Sequence, residues 1–359
     1  VSERPSISGW VLACVICALT GATAHAQTSL PSAVKDALQE NARALNPISI
    51  DWERTRTSDL PMGSLLDRIK YSKIDIHILQ PERAGIKWHT GGFRSFYHRF
   101  RPRLAEKRGT KTGFFNPHNF DIDDPGNFYP FNADRSWDGV VYYNANPSTG
   151  PEPAILLIDR VERIAKATPG RVLLEPEYSD YSGFHLPHLA VEMREEKEAK
   201  SLPLYMADHG WRIDAAALDK GENGSLLLKL SMSNKETKKV DFYLDPQLHY
   251  AVRKRIEHSS RGELALEIRC TDFVRVEGTV LHLPKSVRAD WHTWVTIPDV
   301  ITKPALFHET FKVEKVSHAA IDDGEFVLKY RDPGTMIRDS TVPDAREGKP
   351  VHYRVPAKP

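Results

Sequence analysis

A chain of 359 residues, 40% of them hydrophobic, is long enough to bury a sizeable core without covalent staples. Lysine and arginine number 49 against 48 aspartates and glutamates, which excludes the broad positive field on which nonspecific nucleic-acid binding depends. Of three cysteines, Cys14 and Cys17 lie in an N-terminal apolar stretch expected to be removed, which leaves Cys270 alone and no intrachain disulfide in the mature chain.

The first residues show the three zones of a secretory signal peptide: Arg4 in a short polar stretch, an apolar core over 7–19, and Ala24-His25-Ala26 as a cleavage site. A signal peptide over 1–26 is expected, with the mature chain starting at Gln27 and a periplasmic or secreted location. A lipobox reading of Val11-Leu12-Ala13-Cys14 leaves almost no apolar core ahead of the cysteine. The apolar stretch is too short to span hydrocarbon, and nothing later comes closer, so no transmembrane segment is expected.

Val34, Ala37, Leu38, Ala42 and Leu45 recur at helical spacing between Pro31-Ser32 and Asn46-Pro47, which predicts an amphipathic helix. Ile48, Ile50 and Trp52 then alternate with polar residues as in a strand, and the helix is expected to pack on that strand. Residues 63–80 read as one or two short helices. Thr90-Gly91-Gly92 separates two aromatic-bearing runs, 86–89 and 93–100, as a hairpin does. Residues 110–132 read as loop, 136–143, 154–160 and 171–174 as strands between proline and glycine breaks, and 192–200 as a solvated helix.

From 211 to 295 strand-sized runs follow one another: Leu226, Leu228, Leu230; Val240, Phe242, Leu244; Tyr250, Val252, Ile256; Leu264, Leu266, Ile268; then 280–287. The breaks are turn-formers such as Asn223-Gly224, Asp245-Pro246, Arg261-Gly262 and Glu277-Gly278. Gaps this short hold no crossover helix, so the strands form an antiparallel meander, with 307–316 as a further strand. Cys270 continues the face of Leu264, Leu266 and Ile268 and reads as a small buried hydrophobe. A sheet that is apolar on one face must cover it with helices, another sheet or a ligand.

The run Tyr243-Leu244-Asp245-Pro246-Gln247-Leu248-His249-Tyr250-Ala251-Val252-Arg253, then Asp272-Phe273-Val274-Arg275-Val276-Glu277-Gly278 and Leu283-Pro284-Lys285-Ser286-Val287, resembles exported bacterial proteins of the outer-membrane lipoprotein-sorting (LolA/LolB/RseB-like) type. The resemblance spans about 60 residues with moderately specific motifs and extends loosely over the meander and the helix-then-strand start, while 101–182 departs from the short-carrier pattern. It implies a mainly β (α+β) fold, a curved antiparallel sheet or open half-barrel covered by a few helices and holding acyl chains or another apolar ligand between sheet and helices. The expected organisation is a half-barrel over 27–320 with an insertion at about 101–205, and a C-terminal extension over 321–359 packing on the sheet.

Strand parity predicts groove-facing residues Leu228, Leu230, Phe242, Leu244, Val252, Ile256, Leu266 and Ile268, with Trp52 from the first strand. His185 and His188 are separated by a helix-breaking Pro187 and lack a zinc-protease carboxylate. The acidic run from Asn119 to Gly126 departs from a calcium loop, having Asp124 where the glycine belongs and Pro130 where the bidentate glutamate belongs. The aromatic stretch Trp88, Phe93, Phe96, Tyr97, Phe100, Phe114, Phe115, Phe120, Phe128, Tyr129 and Phe131 supplies core anchors or a lid. No nucleophile elbow, P-loop or dinucleotide motif is present. The expectation is a non-enzymatic, monomeric envelope carrier without cofactor or metal, whose partner is a lipid or lipoprotein acyl chain. The alternatives are a structural or sensor module binding an envelope protein, and a metal- or carboxylate-dependent hydrolase.

Overall fold

The computed structural model describes residues 30–58, 82–89, 92–102, 128–138, 140–146, 155–160, 190–191, 199–208, 210–221, 224–297, 300–328, 333–342 and 350–356. The signal peptide, the helices at 63–80, the strand at 171–174, the acidic run at 119–126 and the His185/His188 pair lie outside these residues.

Helix α1 (Ser32–Arg43) is followed by β1 (Ile48–Ser58), β2 (Glu82–His89), β3 (Gly92–Pro102), β4 (Phe128–Trp137), β5 (Val141–Asn146) and β6 (Ile155–Arg160). A short pair, β7 (Ala190–Val191) and β8 (Ala199–Lys200), leads into helix α2 (Leu202–Asp208). Next come β9 (Arg212–Lys220), β10 (Leu226–Ser233), β11 (Lys239–Asp245), β12 (Ala251–His258), β13 (Leu264–Arg275), β14 (His282–Ile297) and β15 (Val300–Ser317). The C-terminal part adds β16 (Met336–Asp339) and β17 (Val351–Arg354).

Fifteen of these strands form one sheet, ordered β17-β16-β6-β5-β4-β3-β2-β1-β15-β14-β13-β12-β11-β10-β9. Its ends, β17 and β9, do not pair, so the sheet is open. Every pairing is antiparallel except β16 with β6. The fold is mainly β, and the meander expected over 211–316 forms with each strand beside its sequence neighbour because the turns hold no crossover. Asn234, for example, takes the amides of Glu236 and Lys238 on its side-chain oxygen at 3.0 and 3.1 Å. Gly278 sits at φ 75°, a left-handed conformation that costs a residue without a side chain least. The predicted hairpin at 86–100 is β2–β3, with Trp88 opposite Phe93 and His89 opposite Gly92.

Three local expectations are corrected. The strand read over 136–143 is two strands meeting at Asp138, whose carboxylate accepts the amides of Val140 and Val141 and the Tyr143 hydroxyl, closing a tight turn. The C-terminal end of the solvated helix read over 192–200 is strand β8, paired with β7. Residues 128–132, read as loop, belong to β4, which ladders along β3. Of the aromatic stretch, Trp88, Phe93, Phe96, Tyr97, Phe100, Phe128, Tyr129 and Phe131 lie on β2, β3 and β4.

Helix α1 does not keep to the strand that follows it. Ala42 and Leu45 join Ile48, Ile50 and Trp52, but Val34, Ala37 and Leu38 pack with Leu228, Leu230, Phe242 and Val252, far along the sheet. The first turns of α1 thus cover the apolar side chains that β10–β12 present on one face of the sheet.

Candidate ligand-binding face

The pairing registers assign every side chain to one of two faces. Leu230 lies opposite Phe242, Phe242 opposite Arg255, Arg255 opposite Ile268 and Ile268 opposite Ala289. Farther along, Cys270 opposes Val287, Val287 opposes Phe311 and Phe311 opposes Arg54, so one inner face runs from β10 to β1. Leu228, Leu230, Phe242, Leu244 and Val252 lie there under Val34, Ala37 and Leu38 of α1 and Leu202 and Met206 of α2. Trp52, Leu266 and Ile268 belong to a neighbouring cluster with Trp88, Ala289 and Phe311. These eight predicted groove residues are at most 4% exposed.

Ile256 is the exception. Leu244 opposes Val252 but Tyr243 opposes Lys254, so Arg253 is an extra residue and strand parity inverts beyond it. Ile256 therefore lies on the outer face between Asp241 and Glu267.

The same bulge turns Arg255 and Glu257 inward. Their side chains form an ion pair, the Arg255 guanidinium lies 5.8 Å from the centroid of the Phe242 ring, and its buried Nε has no hydrogen-bond partner among the described residues. A second inward pair joins Arg54 to Glu309 at 2.6 Å, with side chains 6% and 2% exposed, and Trp291 Nε1 donates to the other Glu309 oxygen at 2.9 Å. A buried pair of this kind adds little net stability, because desolvation offsets most of the attraction, but removing one partner leaves a costly lone charge. Among the described residues, the inner face is thus an apolar surface interrupted by these two ion pairs.

The motif run at 243–253 builds the turn that α1 contacts. Asp245 is buried, accepts the Gln247 amide and Arg253 Nε, each at 2.9 Å, and starts a 3-10 turn at Pro246. His249 and Tyr250 adopt left-handed backbone angles, φ 53° and 60°. That turn presents the His249 carbonyl to Asn41 Nδ2 at 2.6 Å and the His249 ring to Glu40 at 3.0 Å, both on α1. Burial in the sheet pushes the Cys270 thiol well up, so it stays a neutral core group.

No protein-family model matches the chain, and no curated protein matches it. Among solved structures, it is similar to a domain provisionally named for outer membrane lipoprotein sorting from Vibrio parahaemolyticus: 10% identity, 82% of this chain and 94% of that one covered, TM-score 0.38. It is similar also to a LolA superfamily protein from Nitrosomonas europaea, at 8% identity, with 84% and 99% of the chains covered and a TM-score of 0.38. A third is a DUF1329 family protein from Desulfovibrio piger, at 7% identity, 84% and 98% coverage and a TM-score of 0.34. At such values no activity transfers to this chain.

Parity reasoning missed the inward charges, because Arg255 and Glu257 look solvent-facing in any strand without a bulge. The available signal was Arg253-Lys254-Arg255, three cations in a row that regular alternation cannot all place in water. Among the described residues no helix is long and apolar enough to cross a membrane.

Proposed function

We propose that this protein is a non-enzymatic carrier of the cell envelope that takes up acyl chains of a lipid or lipoprotein between the inner face of its sheet and helices α1 and α2. The observation that supports this is the inner face itself: an apolar surface on β10–β12, interrupted by the Arg255–Glu257 pair, covered by one helix of 12 residues and one of 7. In the structure described, the cover occupies the place a chain would take. Lifting α1 exposes Val34 and Leu38 and the residues beneath, at about 1.5–3 kcal/mol per large side chain. A chain entering instead returns about 0.8 kcal/mol per methylene, so about four to eight methylenes offset two such side chains. Exchange of helix for hydrocarbon is close to balanced, as a reversible shuttle requires.

The near-complete burial of eight predicted groove residues favours a second reading, in which the interior is permanently self-filled and the protein is a structural or sensor module for an envelope partner. Solvent extraction of the purified full chain followed by mass spectrometry separates the two. The carrier reading expects stoichiometric acyl lipid, lost in Phe242→Arg while circular dichroism still reports the β fold. Lipid-free wild-type protein that also fails to load from phosphatidylglycerol vesicles sinks it.

A further inference from the structure

The pairing registers order the inner face of the meander arm in rows across the strands. One row holds Leu228, Leu244 and Val252; the next holds Leu230, Phe242, Arg255 and Ile268; the third holds Val240, Glu257 and Leu266. The first row is apolar throughout. Charge begins only with the second, toward the strand ends closed by the turns at 234–238 and 259–263. From one end of β10–β12 to the other the face therefore passes from hydrocarbon to an ion pair, the polarity profile of an amphiphile.

The Arg255–Glu257 pair leaves donor capacity unused in an enclosed place. A guanidinium carries five N–H donors in a rigid fork, and a buried one is costly unless they are engaged. The Arg255 side chain is 11% exposed, its apolar neighbours in the row are Phe242 and Ile268, and its buried Nε has no hydrogen-bond partner among the described residues. The Glu257 side chain, at 27%, stands nearer to water, so of the two partners it leaves the pair at the lower desolvation cost. A hydrocarbon or a neutral alcohol has no oxyanion for the fork. A carboxylate or phosphodiester at the end of an acyl chain supplies two oxygens that match it.

We propose that Arg255 anchors the head of the carried ligand, an acyl-chain amphiphile ending in an anionic oxo group, either a fatty-acid carboxylate or a lipid phosphodiester. The head takes the place of Glu257 on the guanidinium, Glu257 turns to water, and the chain runs toward Leu228, Leu244 and Val252. Because Glu257 neutralises Arg255 before the ligand arrives, the exchange leaves the net charge of the interior unchanged. The inference rests on the carrier reading above and adds to it the charge of the ligand and the direction in which it lies.

The test titrates the full chain with palmitate, palmitoyl lysophosphatidylglycerol and hexadecanol, the last having the chain without the charge. Wild-type protein is expected to bind at least one of the two anionic amphiphiles about ten-fold or more tighter than hexadecanol, and the one favoured identifies the head. Glu257→Gln removes the resident counter-ion and should tighten the anionic ligand several-fold; an affinity that stays put or falls means the pair is structural and overturns the proposal. The double variant Arg255→Gln/Glu257→Gln leaves no lone buried charge, should keep the β fold by circular dichroism, and should bind all three ligands alike. Hexadecanol bound as tightly as the anions, or a double variant that still prefers them, overturns the inference while the carrier reading stands, and binding of none of the three overturns both. Competition with palmitate by millimolar inorganic phosphate would mark a site for free anions and overturns it too.

Discussion

The two arms of the sheet are covered differently: the inner face is buried as far as Trp88 and Trp137 on the second arm, and that arm carries a further cover on its outer face. On the β9–β15 arm the buried side chains, Leu230, Phe242 and Val252 among them, point inward under α1 and α2. On the other arm Ser49 opposes Lys87, Lys87 opposes Arg94, Arg94 opposes Ser136 and Ser136 opposes Tyr143, all on the outer face. There Tyr143, Ala145, Leu156 and Ile337 are covered by Val327, Leu328 and Val355 of the C-terminal segment. Phe326 fastens that segment: a Cβ on Gly92 would lie 2.5 Å from its ring, and its carbonyl accepts the Ser136 hydroxyl at 2.5 Å. Alternation tells a strand that one side will be buried. Which cover arrives, and from where in the chain, decides which side and how removable the burial is.

Phe326→Ala separates the arms most sharply. Phe326 is fully buried, so the change should cost about 3–5 kcal/mol, read by urea unfolding. Hydrogen-exchange protection should fall in β2–β4 and hold in β10–β12; equal loss in both arms would mean that one cover serves the whole sheet. Leu38→Ala probes the other cover and should cost about 2–5 kcal/mol. If α1 is the removable element, palmitate uptake should rise in this variant, because the open state is more populated, and stay unchanged in Phe326→Ala.

Asp245→Ala removes the acceptor that holds the Gln247 amide and Arg253, at a cost of about 1–3 kcal/mol, and should loosen the turn on which α1 rests. The smallest effect belongs to the outer ladder of the meander arm. Burial alone would raise the Asp290 and Glu267 carboxyls, but His308 and Arg288 on the first, and Lys254 and Arg269 on the second, outweigh it and hold both below the usual carboxylate range. A depressed folded-state pKa stabilises above the unfolded value of about 4 and is lost as pH falls through the folded value. Urea midpoints should therefore drop below about pH 4, and Asp290→Asn should flatten that drop.

The meander was legible because its turns carry their own chemistry: Asp245-Pro246 and Gly278 announce a reversal whatever surrounds them. The hairpin at 89–92 was legible for the same reason. Ile256 was not, since the extra Arg253 changes no composition yet inverts everything after it. The destination of α1 was hidden as well, because an amphipathic stripe specifies that a helix packs and not on which of fifteen strands. Asp138, the residue that splits β4 from β5, acts through hydrogen bonds to its own neighbours, a signal easily lost inside an apolar run.

Hydrogen exchange on the full chain with and without palmitate tests the central claim most directly. If hydrocarbon replaces the cover, loading should strip protection from 32–43 while the amides of β10–β12 keep theirs. Palmitate that binds while α1 stays as protected as before, or that does not bind at all, would contradict the account.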